Sequence, residues 1–349
     1  MVALLSINPY PSVLEMTNIK SKPYFILYAS CIPVKGAARS VICDLQRNDF
    51  LLITNDMYEL LTSADYYTVE TLSDEALELI NELEEQELGF YTDEPTLFPK
   101  LQLQWESPRR FTNAIVDIDK DSDHSFEIIR EELDSVGVGA LELRFYDKVS
   151  TETLTRIVET FSLSRLRSIY ITLPFTAELT SAFLDELVRE NERITRIIIS
   201  GANQDGVAYT QPNNNAILIY STQQIKDASC CGNIAPAYFT PNIELFSESM
   251  QFNNCLNRKI SVDRQGNIKN CPSMVKGYGT VTKGAFLQLS KNTAFRELWD
   301  INKDKIEVCR DCEFRYICTD CRAYVTTSED KYSKPGKCSY DPYTATWEE

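Results

Sequence analysis

The segment "CRDCEFRYICTDC", residues 309–321, places four cysteines within thirteen residues: Cys309, Cys312, Cys318 and Cys321. A Cys-x2-Cys turn lets two thiolates face one metal ion or cluster, and the five-residue step after the first pair brings a third sulfur round to the same site. The segment lies in a stretch, residues 225–349, that holds nine of the eleven cysteines and shows little hydrophobic periodicity. Such a loop-rich stretch cannot bury enough apolar surface to order itself, so we expect bound metal to stabilise it.

Three further cysteines continue the pattern, and their spacing leaves the identity of the metal open. Ten residues separate Cys255 from Gly266, four separate Gly266 from Cys271, and Cys338 follows the tight run. From spacing alone, two structural zinc sites with four thiolate ligands each are slightly favoured over iron, because zinc is the commoner structural metal. A set of disulfides is a third alternative, disfavoured because thiols stay reduced in the cytoplasm, where we expect the chain.

Composition and charge limit the partners that the chain can bind. It has 349 residues, enough for two or three domains, and a formal net charge of −16. Such an acidic surface repels phosphate backbones and anionic lipids, so we expect no nucleic acid and no membrane among its partners, and basic peptide segments suit it better. No apolar run approaches the ~20 residues of a membrane span. The start, "MVALLSINPYPS", lacks the basic region of a signal peptide, so the expected localisation is cytoplasmic.

The single histidine, His124, removes most histidine-dependent chemistry from consideration. A His-based zinc site, a Cys–His nucleophile or a Ser–His–Asp triad would each have to depend on this one residue. A lone histidine near the start of a helix is most often structural, and we expect that role for His124.

Residues 1–105 are expected to form a small winged-helix-like module. Three runs rich in Ile, Leu, Val and Tyr predict strands: "YFILYAS", "SVICDLQ" and "DFLLIT". Two helices are predicted to follow, "DMYELLTS" and "TLSDEALELINELEEQELG". Thr71 or Ser73 is expected to cap the second helix and Gly89 to end it. Cys31 and Cys43 lie in this module and are predicted to be buried as small hydrophobic residues.

Residues 106–225 alternate between strand and helix patterns, which is typical of βαβ units around a parallel sheet. The five predicted strands are "NAIVDID", "ALELRFY", "SIYITLPF", "ITRIIIS" and "AILIY". The three predicted helices are "SFEIIREELDSVG", ending at Gly137, "TETLTRIVETF" and "TAELTSAFLDELVREN". Five strands are too few for a complete eight-fold barrel, so the sequence predicts an α/β fold with an open or partial βα barrel. Ligands of such sheets bind at the carboxyl ends of the strands.

Residues 226–349 form the third predicted unit, a loop-rich cysteine domain. "KISVDRQGNIKNC" is predicted to be a hairpin with Gly266 in its turn. "TAFRELWDI" is predicted to be a short helix.

The complete cysteine pattern resembles the seven-cysteine signature of SPASM domains, the auxiliary iron–sulfur domains of radical S-adenosylmethionine (SAM) peptide-modifying enzymes. The match runs over 84 residues, from Cys255 to Cys338, and departs from the family in one step, because two residues rather than three separate Cys318 from Cys321. Several phrases resemble more particularly the SPASM proteins of grasp-with-SPASM systems: "NCLNRKISVD", "GNIKNCPSM", "CEFRYICTDCRAY", "YDPYTATW" and, near the start, "SVICDLQRNDFLLIT". The likeness is strongest over residues 230–349 and weak over residues 112–220.

The resemblance implies two [4Fe–4S] clusters with interleaved ligands, a device that bacterial ferredoxins also use. For the first cluster the implied ligands are Cys309, Cys312, Cys318 and Cys338. For the second they are Cys255, Cys271 and Cys321, with a fourth from Cys230 or Cys231; the alternative to this fourth ligand is an open iron site that binds substrate. The resemblance also implies two partners, a ribosomally made precursor peptide and an ATP-grasp ligase that cross-links the peptide's side chains.

One element of the radical SAM family is missing from the chain. The SAM-binding cluster needs three cysteines in a C-x3-C-x2-C motif after the first barrel strand, but "NAIVDID" is followed by "KDSDHSFE", and no cysteine lies between Cys43 and Cys230. We therefore expect the chain to lack a SAM cluster of its own, and the middle segment resembles a radical SAM scaffold without its reactive centre. The loop carries alternating aspartates that offer a cation site but in such loops are usually only solvated: Asp117, Asp119, Asp121 and Asp123.

These features lead to three functional hypotheses. In the first, the chain is a peptide-maturation partner: residues 1–105 grip the precursor by strand addition, residues 106–225 are scaffold, and the clusters of residues 226–349 order that region or carry electrons. In the second, it is an enzyme whose clusters do redox or Lewis-acid work on the peptide. In the third, it is a zinc-stabilised adaptor protein. We favour the first, because no set of residues forms an obvious active site.

Overall fold

The structure, a computed structural model, describes residues 22–210 and 216–348. The stretch "MVALLSINPYPS", on which the signal-peptide argument depends, lies outside the described residues. Within them the chain has a mixed α/β fold with seven α-helices and an eight-stranded, mostly parallel sheet. None of the described helices combines the length and the apolar character that a membrane crossing requires.

Two small antiparallel sheets and two helices make up the first part of the described chain. Their elements are β1 (Tyr24–Leu27), β2 (Cys31–Lys35), β3 (Ser40–Asp44), β4 (Asp49–Ile53), α1 (Asn55–Ser63), β5 (Tyr67–Thr68), α2 (Asp74–Glu85) and β6 (Gly89–Thr92). One sheet has the strand order β5–β1–β6 and the other the order β2–β3–β4. The predicted strands and helices are confirmed, β2, β5 and β6 are additional, and the winged-helix-like arrangement stays a prediction.

The two ends of α2 show one correct and one wrong prediction. Ser73 caps the helix, and its Oγ accepts a backbone hydrogen bond of 3.3 Å. Gly89 does not end the helix, which stops at Glu85. The carbonyl of the buried Leu88 accepts a hydrogen bond of 3.0 Å from the backbone N–H of Tyr28, so the chain turns back beside β1 and Gly89 begins β6.

The central sheet is built by the alternating segment and extended by the hairpin of the C-terminal region. Its strands are β7 (Asn113–Ile118), β8 (Ala140–Phe145), β9 (Ser168–Pro174), β10 (Ile194–Ser200), β11 (Gly206–Tyr209), β12 (Ile217–Ser221), β13 (Lys259–Val262) and β14 (Ile268–Lys269). In the order β11–β12–β10–β9–β8–β7–β13–β14, the inner strands run parallel and the two edge strands run antiparallel to their neighbours. The five predicted strands are confirmed, and Gly266, at φ +80°, turns the predicted hairpin.

Three helices connect the parallel strands, as predicted. They are α3 (Phe126–Val136), α4 (Thr151–Thr160) and α5 (Ser181–Glu190). Gly137 ends α3 in the left-handed conformation, at φ +77°, where a residue without Cβ meets no steric penalty. The apolar sides of these helices pack on the sheet and form the main core.

The two faces of the central sheet differ in chemistry. Successive side chains of a strand point to opposite faces, and residues such as Leu143 and Ile171 fill the core under the helices. The intervening residues point the other way, and Glu142, Tyr170 and Arg196 lie side by side in register across β8, β9 and β10. The face opposite the helices is therefore polar along this row, and we call it the polar face of the sheet.

The C-terminal region adds little regular structure beyond the hairpin. Its other elements are α6 (Ile243–Gln251), α7 (Ala285–Leu289), β15 (Tyr340–Asp341) and β16 (Thr346–Trp347). The predicted helix at "TAFRELWDI" is wrong. The backbone N–H groups of Arg296 and Trp299 donate to carbonyls three residues earlier, at 3.1 and 2.9 Å, and form successive turns. Phe295 and Trp299 both pack against Phe111 in the core, which fixes the segment in this irregular form.

The tight cysteine run packs against the small β2–β3–β4 sheet. The backbone N–H of Ala37 donates to the carbonyl of Asp311 at 2.8 Å, and Arg39 forms an ion pair of 2.7 Å with the buried Glu313. The ring of Phe314 meets that of Phe50 on β4, with 5.6 Å between their centroids. The run is therefore held in place by the first part of the chain.

Candidate metal centre

The tight run is shaped by its own turns and by two buried apolar side chains. The backbone N–H of Cys312 donates to the carbonyl of Cys309 at 3.1 Å, and that of Cys318 donates to the carbonyl of Phe314 at 3.0 Å. Phe314 and Ile317 are buried and anchor the loop between the two Cys-x2-Cys pairs. The thiols are thus positioned by tight turns rather than by a long helix or a strand, as in metal-binding loops of this spacing.

The first cysteine group consists of Cys309, Cys312, Cys318 and Cys338. Electrostatic interactions link Cys318 to Cys309 and Cys312, and link Cys338 to Cys309 and Cys318. Burial raises the pKa of the Cys309 thiol to about 12, and Cys318 and Cys338 add to the increase. The structure brings together the four cysteines that the resemblance assigns to the first cluster, and their role as metal ligands stays a prediction.

The second cysteine group consists of Cys231, Cys255, Cys271 and Cys321. Cys255 interacts electrostatically with each of the other three. Burial raises the pKa of the Cys271 thiol to about 12, and Cys255 adds to the increase. Cys321 therefore lies with the hairpin cysteines, although only two residues separate it from Cys318 of the first group.

The two candidates for the fourth position of this group differ in their surroundings. Cys231 interacts with Cys255 and, through it, belongs to the second group. The Sγ atom of Cys230 instead lies 3.9 Å from the carbonyl oxygen of Gln224. Cys231 is therefore the better placed of the two.

The contact of Gly232 with Cys321 shows how closely the "SCCG" loop approaches the tight run. A Cβ atom added to Gly232 would lie 3.0 Å from Cys321 Sγ and 3.3 Å from a ring carbon of Tyr324. Gly232 also has φ +87°, a conformation that favours glycine. The absence of a side chain at this position allows the loop to place Cys231 beside Cys321.

Hydrogen bonds join the segments that carry the two groups. Asn254 donates to the carbonyl of Cys318 at 2.9 Å and accepts from the backbone N–H of Asp320 at 3.0 Å. The Lys337 ammonium donates to the carbonyl of Cys231 at 2.7 Å. The hairpin, the tight run, the "SCCG" loop and the tail are thus connected by protein contacts as well as by the thiols.

Each cysteine group has one lysine that the sequence analysis did not single out. Lys303 is buried and donates to the carbonyl of Thr319 at 3.1 Å. Lys259 Nζ lies 3.6 Å from Cys255 Sγ. Burial alone would lower the pKa of both lysines, but the neighbouring cysteines outweigh it, so that the pKa of Lys259 rises to about 12 and that of Lys303 rises as well. From the sequence, a lysine in a loop or at the start of a strand is expected at the surface, so the sequence does not predict this role.

Within the described residues, no group of three or more Cys, His, Asp or Glu side chains is arranged to hold a metal ion. Thiolates are ligands of both iron–sulfur clusters and structural zinc, so the donor chemistry of the two cysteine groups suits either. A lysine lies beside each group, and its ammonium would balance part of the negative charge of a thiolate-bound metal centre.

The polar face of the sheet lies next to the second cysteine group. Glu142 interacts electrostatically with both Cys231 and Lys259. On the same row, the Arg196 guanidinium stacks over the ring of Tyr170, at 4.9 Å from its centroid. At the carboxyl end of the neighbouring strands, a cavity of about 310 Å³ opens between β7, the hairpin and the "SCCG" loop; its lining includes Asp117, Asp227, Ser229, Asp263, Arg264 and Pro272. This concave, charged surface is suited to binding a polar chain segment.

Asp117 and Asp119 of the acidic loop, and His124, are held by protein contacts. Asp119 accepts hydrogen bonds of 3.0 Å from the backbone N–H of Asp121 and from Ser122 Oγ. Asp117 is buried and pairs with Arg144 at 2.6 Å. His124 Nε2 donates to the carbonyl oxygen of Asp117 at 2.8 Å, which agrees with a structural histidine.

Apart from Cys230, two cysteines lie outside both groups, in the small β2–β3–β4 sheet. Cys31 and Cys43 are buried, as predicted for small hydrophobic residues. Burial raises the pKa of the Cys31 thiol to about 12, which keeps it protonated at neutral pH. The chemistry of the candidate centres therefore depends on the eight cysteines of the two groups. Comparison with protein families, with curated proteins and with solved structures finds no match for the chain.

Proposed function

We propose that this protein is a maturation partner in ribosomal peptide modification: it binds a precursor peptide, carries two [4Fe–4S] clusters in a SPASM domain, and acts with an ATP-grasp ligase. The observation that carries the proposal is the division of eight cysteines into two groups of four, with Cys318 in the first and Cys321 in the second. Neighbouring cysteines of one loop that belong to different groups are what interleaved cluster ligation requires.

In this proposal the first cysteine group holds one cluster and the second group, with Cys231 as its fourth ligand, holds the other. When bound, such clusters supply electron transfer and the metal–thiolate bonds that order a loop-rich region. The protein's own contribution is the surroundings: Phe314 and Ile317 pack the first group into an apolar core, and Asn254 ties the two groups together.

The polar face of the sheet is the proposed place for the modified part of the peptide. Tyr170 is 36% exposed there, so the row is open to solvent while it runs toward the second cysteine group. Arg196 lies on this face, stacks on Tyr170 and forms no ion pair within the described residues, and its buried Nε has no hydrogen-bond partner, so the side chain has donor capacity left for a peptide carbonyl or carboxylate. These side chains bind and orient the peptide; the bond is made by the ligase.

The first part of the chain is the proposed binding site for the rest of the peptide. A cavity of about 510 Å³ lies between the end of β1, the start of β2 and residues 95–103. Its rim carries large exposed apolar side chains, with Tyr28 42% and Phe98 44% exposed. Strand addition at an edge such as β6 would give backbone hydrogen bonds, and the cavity would select an apolar side chain of the peptide.

Two alternative functions remain testable beside this one. A redox or Lewis-acid enzyme acting through its clusters would use the same two cysteine groups. A zinc-stabilised adaptor is favoured by a single observation, namely that four thiolates are also the usual ligand set of structural zinc. The partner role is preferred because no cysteine lies between Cys43 and Cys230, so the chain cannot build a SAM cluster by itself.

A reconstituted reaction tests the proposed function. The probes are a candidate precursor peptide, an ATP-grasp ligase chosen from the genome that encodes this chain, and ATP, and the readout is the mass of the peptide. The peptide is incubated anaerobically with the ligase alone, with this protein alone, and with both. We expect the full set of mass changes only when both proteins are present, and a reduced yield for Arg196→Gln.

The three incubations separate the hypotheses. A ligase that modifies the peptide equally well without this protein would contradict the partner role. Modification by this protein alone would favour the enzyme alternative. As a matched control, Arg189→Gln replaces an exposed arginine of α5 that already pairs with Glu186, and it should leave the yield unchanged.

A further inference from the structure

Each cysteine group is accompanied by one lysine whose ammonium approaches its thiols. Lys259 Nζ lies 3.6 Å from Cys255 Sγ in the second group. Lys303 is only 4% exposed, and its Nζ donates at 3.1 Å to the carbonyl of Thr319, the residue that follows Cys318 in the first group. The two lysines come from different parts of the chain, and each lies beside a different group.

Carboxylates act on these lysines only through longer-range electrostatic interactions, Glu142 on Lys259 and Asp320 on Lys303. Within residues 22–210 and 216–348, neither Lys259 nor Lys303 forms an ion pair with an Asp or Glu side chain. The buried Asp320 lies near Lys303 but pairs with Arg322 at 2.7 Å. An ammonium removed from water without an anionic partner is strongly unfavourable. The thiols are therefore the groups that can supply a negative charge close to each lysine.

We propose that Lys259 and Lys303 are positioning residues that set the reduction potentials of the two clusters, Lys259 through its contact with the Cys255 thiolate and Lys303 through its buried charge next to the loop of Cys318. The inference rests on the proposed function, since it requires that each group holds a [4Fe–4S] cluster. Hydrogen bonds and positive charge at the cluster sulfurs are among the factors that set the potential of such clusters. Reduction adds one negative charge, and a fixed ammonium beside the thiolates stabilises that charge. Each lysine keeps its proton throughout.

The assignment makes a separate prediction for each cluster. Replacing Lys303 should make the first cluster harder to reduce and leave the second unchanged, and replacing Lys259 should do the reverse. Since Cys318 and Cys321 lie so close in sequence, this selectivity also reports which lysine belongs to which group.

The experiment is a redox titration of the anaerobically purified full chain, with dithionite as the reductant and electron paramagnetic resonance as the readout. The variants are Lys259→Met and Lys303→Met, which keep the length of the side chain but remove the charge and the donor. We expect each to lower the potential of one cluster, with the reduction equilibrium constant falling at least about tenfold, which is 59 mV for one electron. Lys259→Arg and Lys303→Arg keep the charge and should stay close to wild type.

Lys305→Met is the matched control for Lys303, because Lys305 is exposed and donates only to the carbonyl of Asp300, at 2.6 Å. It should change neither potential. Iron analysis accompanies every titration. Loss of iron from one cluster in a Met variant, with full iron in the corresponding Arg variant, would also support the charge pairing. Loss of iron in both variants of one lysine would show a packing role and overturn the proposal.

Different results would overturn the role of the lysines and the proposed function. Iron-loaded Met variants with wild-type potentials would overturn the role of the lysines while leaving the clusters in place. A wild-type chain that contains zinc or no metal would instead overturn the proposed function, and the potential-setting role with it.

Discussion

At the level of single residues, a side chain added at Gly232 would disturb the second cysteine group. Gly232 has a φ of +87°, and a Cβ atom added there would lie 3.0 Å from Cys321 Sγ. The first makes any L side chain strained, and the second pushes the added atom into a thiol that the proposed cluster needs.

Gly232→Ala is predicted to weaken the second centre selectively. We expect a loss of about 1–3 kcal/mol of stability from the strained conformation and the steric contact together. We also expect iron to be lost from the second group while the first stays loaded. The measurement is iron content and visible absorbance of the anaerobically purified variant.

Gly266→Ala is the matched control for this prediction. Gly266 lies in the hairpin between Cys255 and Cys271 and has a similar φ of +80°, but a Cβ atom there would meet no other atom within 4 Å. It should show the strain without the loss of iron. Equal iron loss in both variants would mean that backbone strain alone, rather than the contact with Cys321, controls the centre.

Single residues also show what the sequence can and cannot predict. The burial of Cys31 and Cys43 was predictable, because small apolar residues within strand patterns are usually buried. The places of Lys259, Lys303 and Gly232 were not, because they depend on which loops meet in space. A lysine or a glycine in a loop has many ordinary explanations, and only the fold brings these three beside thiols.

At the scale of elements, α3 and α7 are joined by a buried carboxylate. Glu132 on α3 is 4% exposed, and its two oxygens accept backbone hydrogen bonds from Gly284 at 2.6 Å and from Phe286 at 2.9 Å. The carboxylate thus satisfies the N–H groups at the start of α7, which has no side-chain cap of its own. It fastens part of the C-terminal region to the helical layer of the sheet.

Glu132→Gln is predicted to destabilise the protein by about 2–3 kcal/mol, because the variant loses charge-assisted hydrogen bonds and turns an amide donor toward a backbone N–H. Urea denaturation monitored by circular dichroism measures the change. Glu131→Gln is the control: its partially exposed carboxylate pairs with Lys283 at 3.2 Å on the surface, and the expected change is below about 1 kcal/mol. Similar losses in the two variants would show that the buried cap contributes no more than a surface ion pair.

Elements were predictable where one pattern repeats along the chain. The βαβ segment gave correct strands and helices because each element shows its own period, from "NAIVDID" to "AILIY". The sequence does not predict β2, because Pro33 interrupts the strand pattern; the strand lies at a sheet edge, where the missing N–H of proline costs no ladder hydrogen bond. The segment "TAFRELWDI" predicts a helix because Phe295 and Trp299 have helical spacing, but their contacts with Phe111 fix the segment as a series of turns.

At the scale of the whole molecule, the predicted segments share their cores. β13 of the C-terminal region pairs in parallel with β7 of the middle region, in register from Lys259 with Asn113 to Val262 with Val116. The small β2–β3–β4 sheet packs against the tight cysteine run. These long-range pairings could not be read from the sequence, because nothing local marks β13 as a partner of a strand about 150 residues away. They place the second cysteine group beside the polar face of the sheet.

For the whole molecule, we propose that the two cysteine groups hold two interleaved [4Fe–4S] clusters, and that Cys321 and Cys338 cross between segments. If so, Cys321 connects the tight run to the hairpin and Cys338 connects the tail to the tight run. Removal of the Cys321 thiol should then damage the second cluster, and removal of the Cys338 thiol should damage the first, although both residues lie outside the hairpin.

The most direct test is iron content together with electron paramagnetic resonance spectra of the anaerobically purified wild type, Cys321→Ala and Cys338→Ala. Cys309→Ala and Cys255→Ala serve as reference spectra, and Cys230→Ala as a control whose thiol lies against Gln224. The wild type is predicted to be brown with about eight iron atoms per chain, Cys338→Ala to match Cys309→Ala, and Cys321→Ala to match Cys255→Ala. A colourless, zinc-containing wild type, or a Cys321→Ala spectrum that matches Cys309→Ala, would contradict the account.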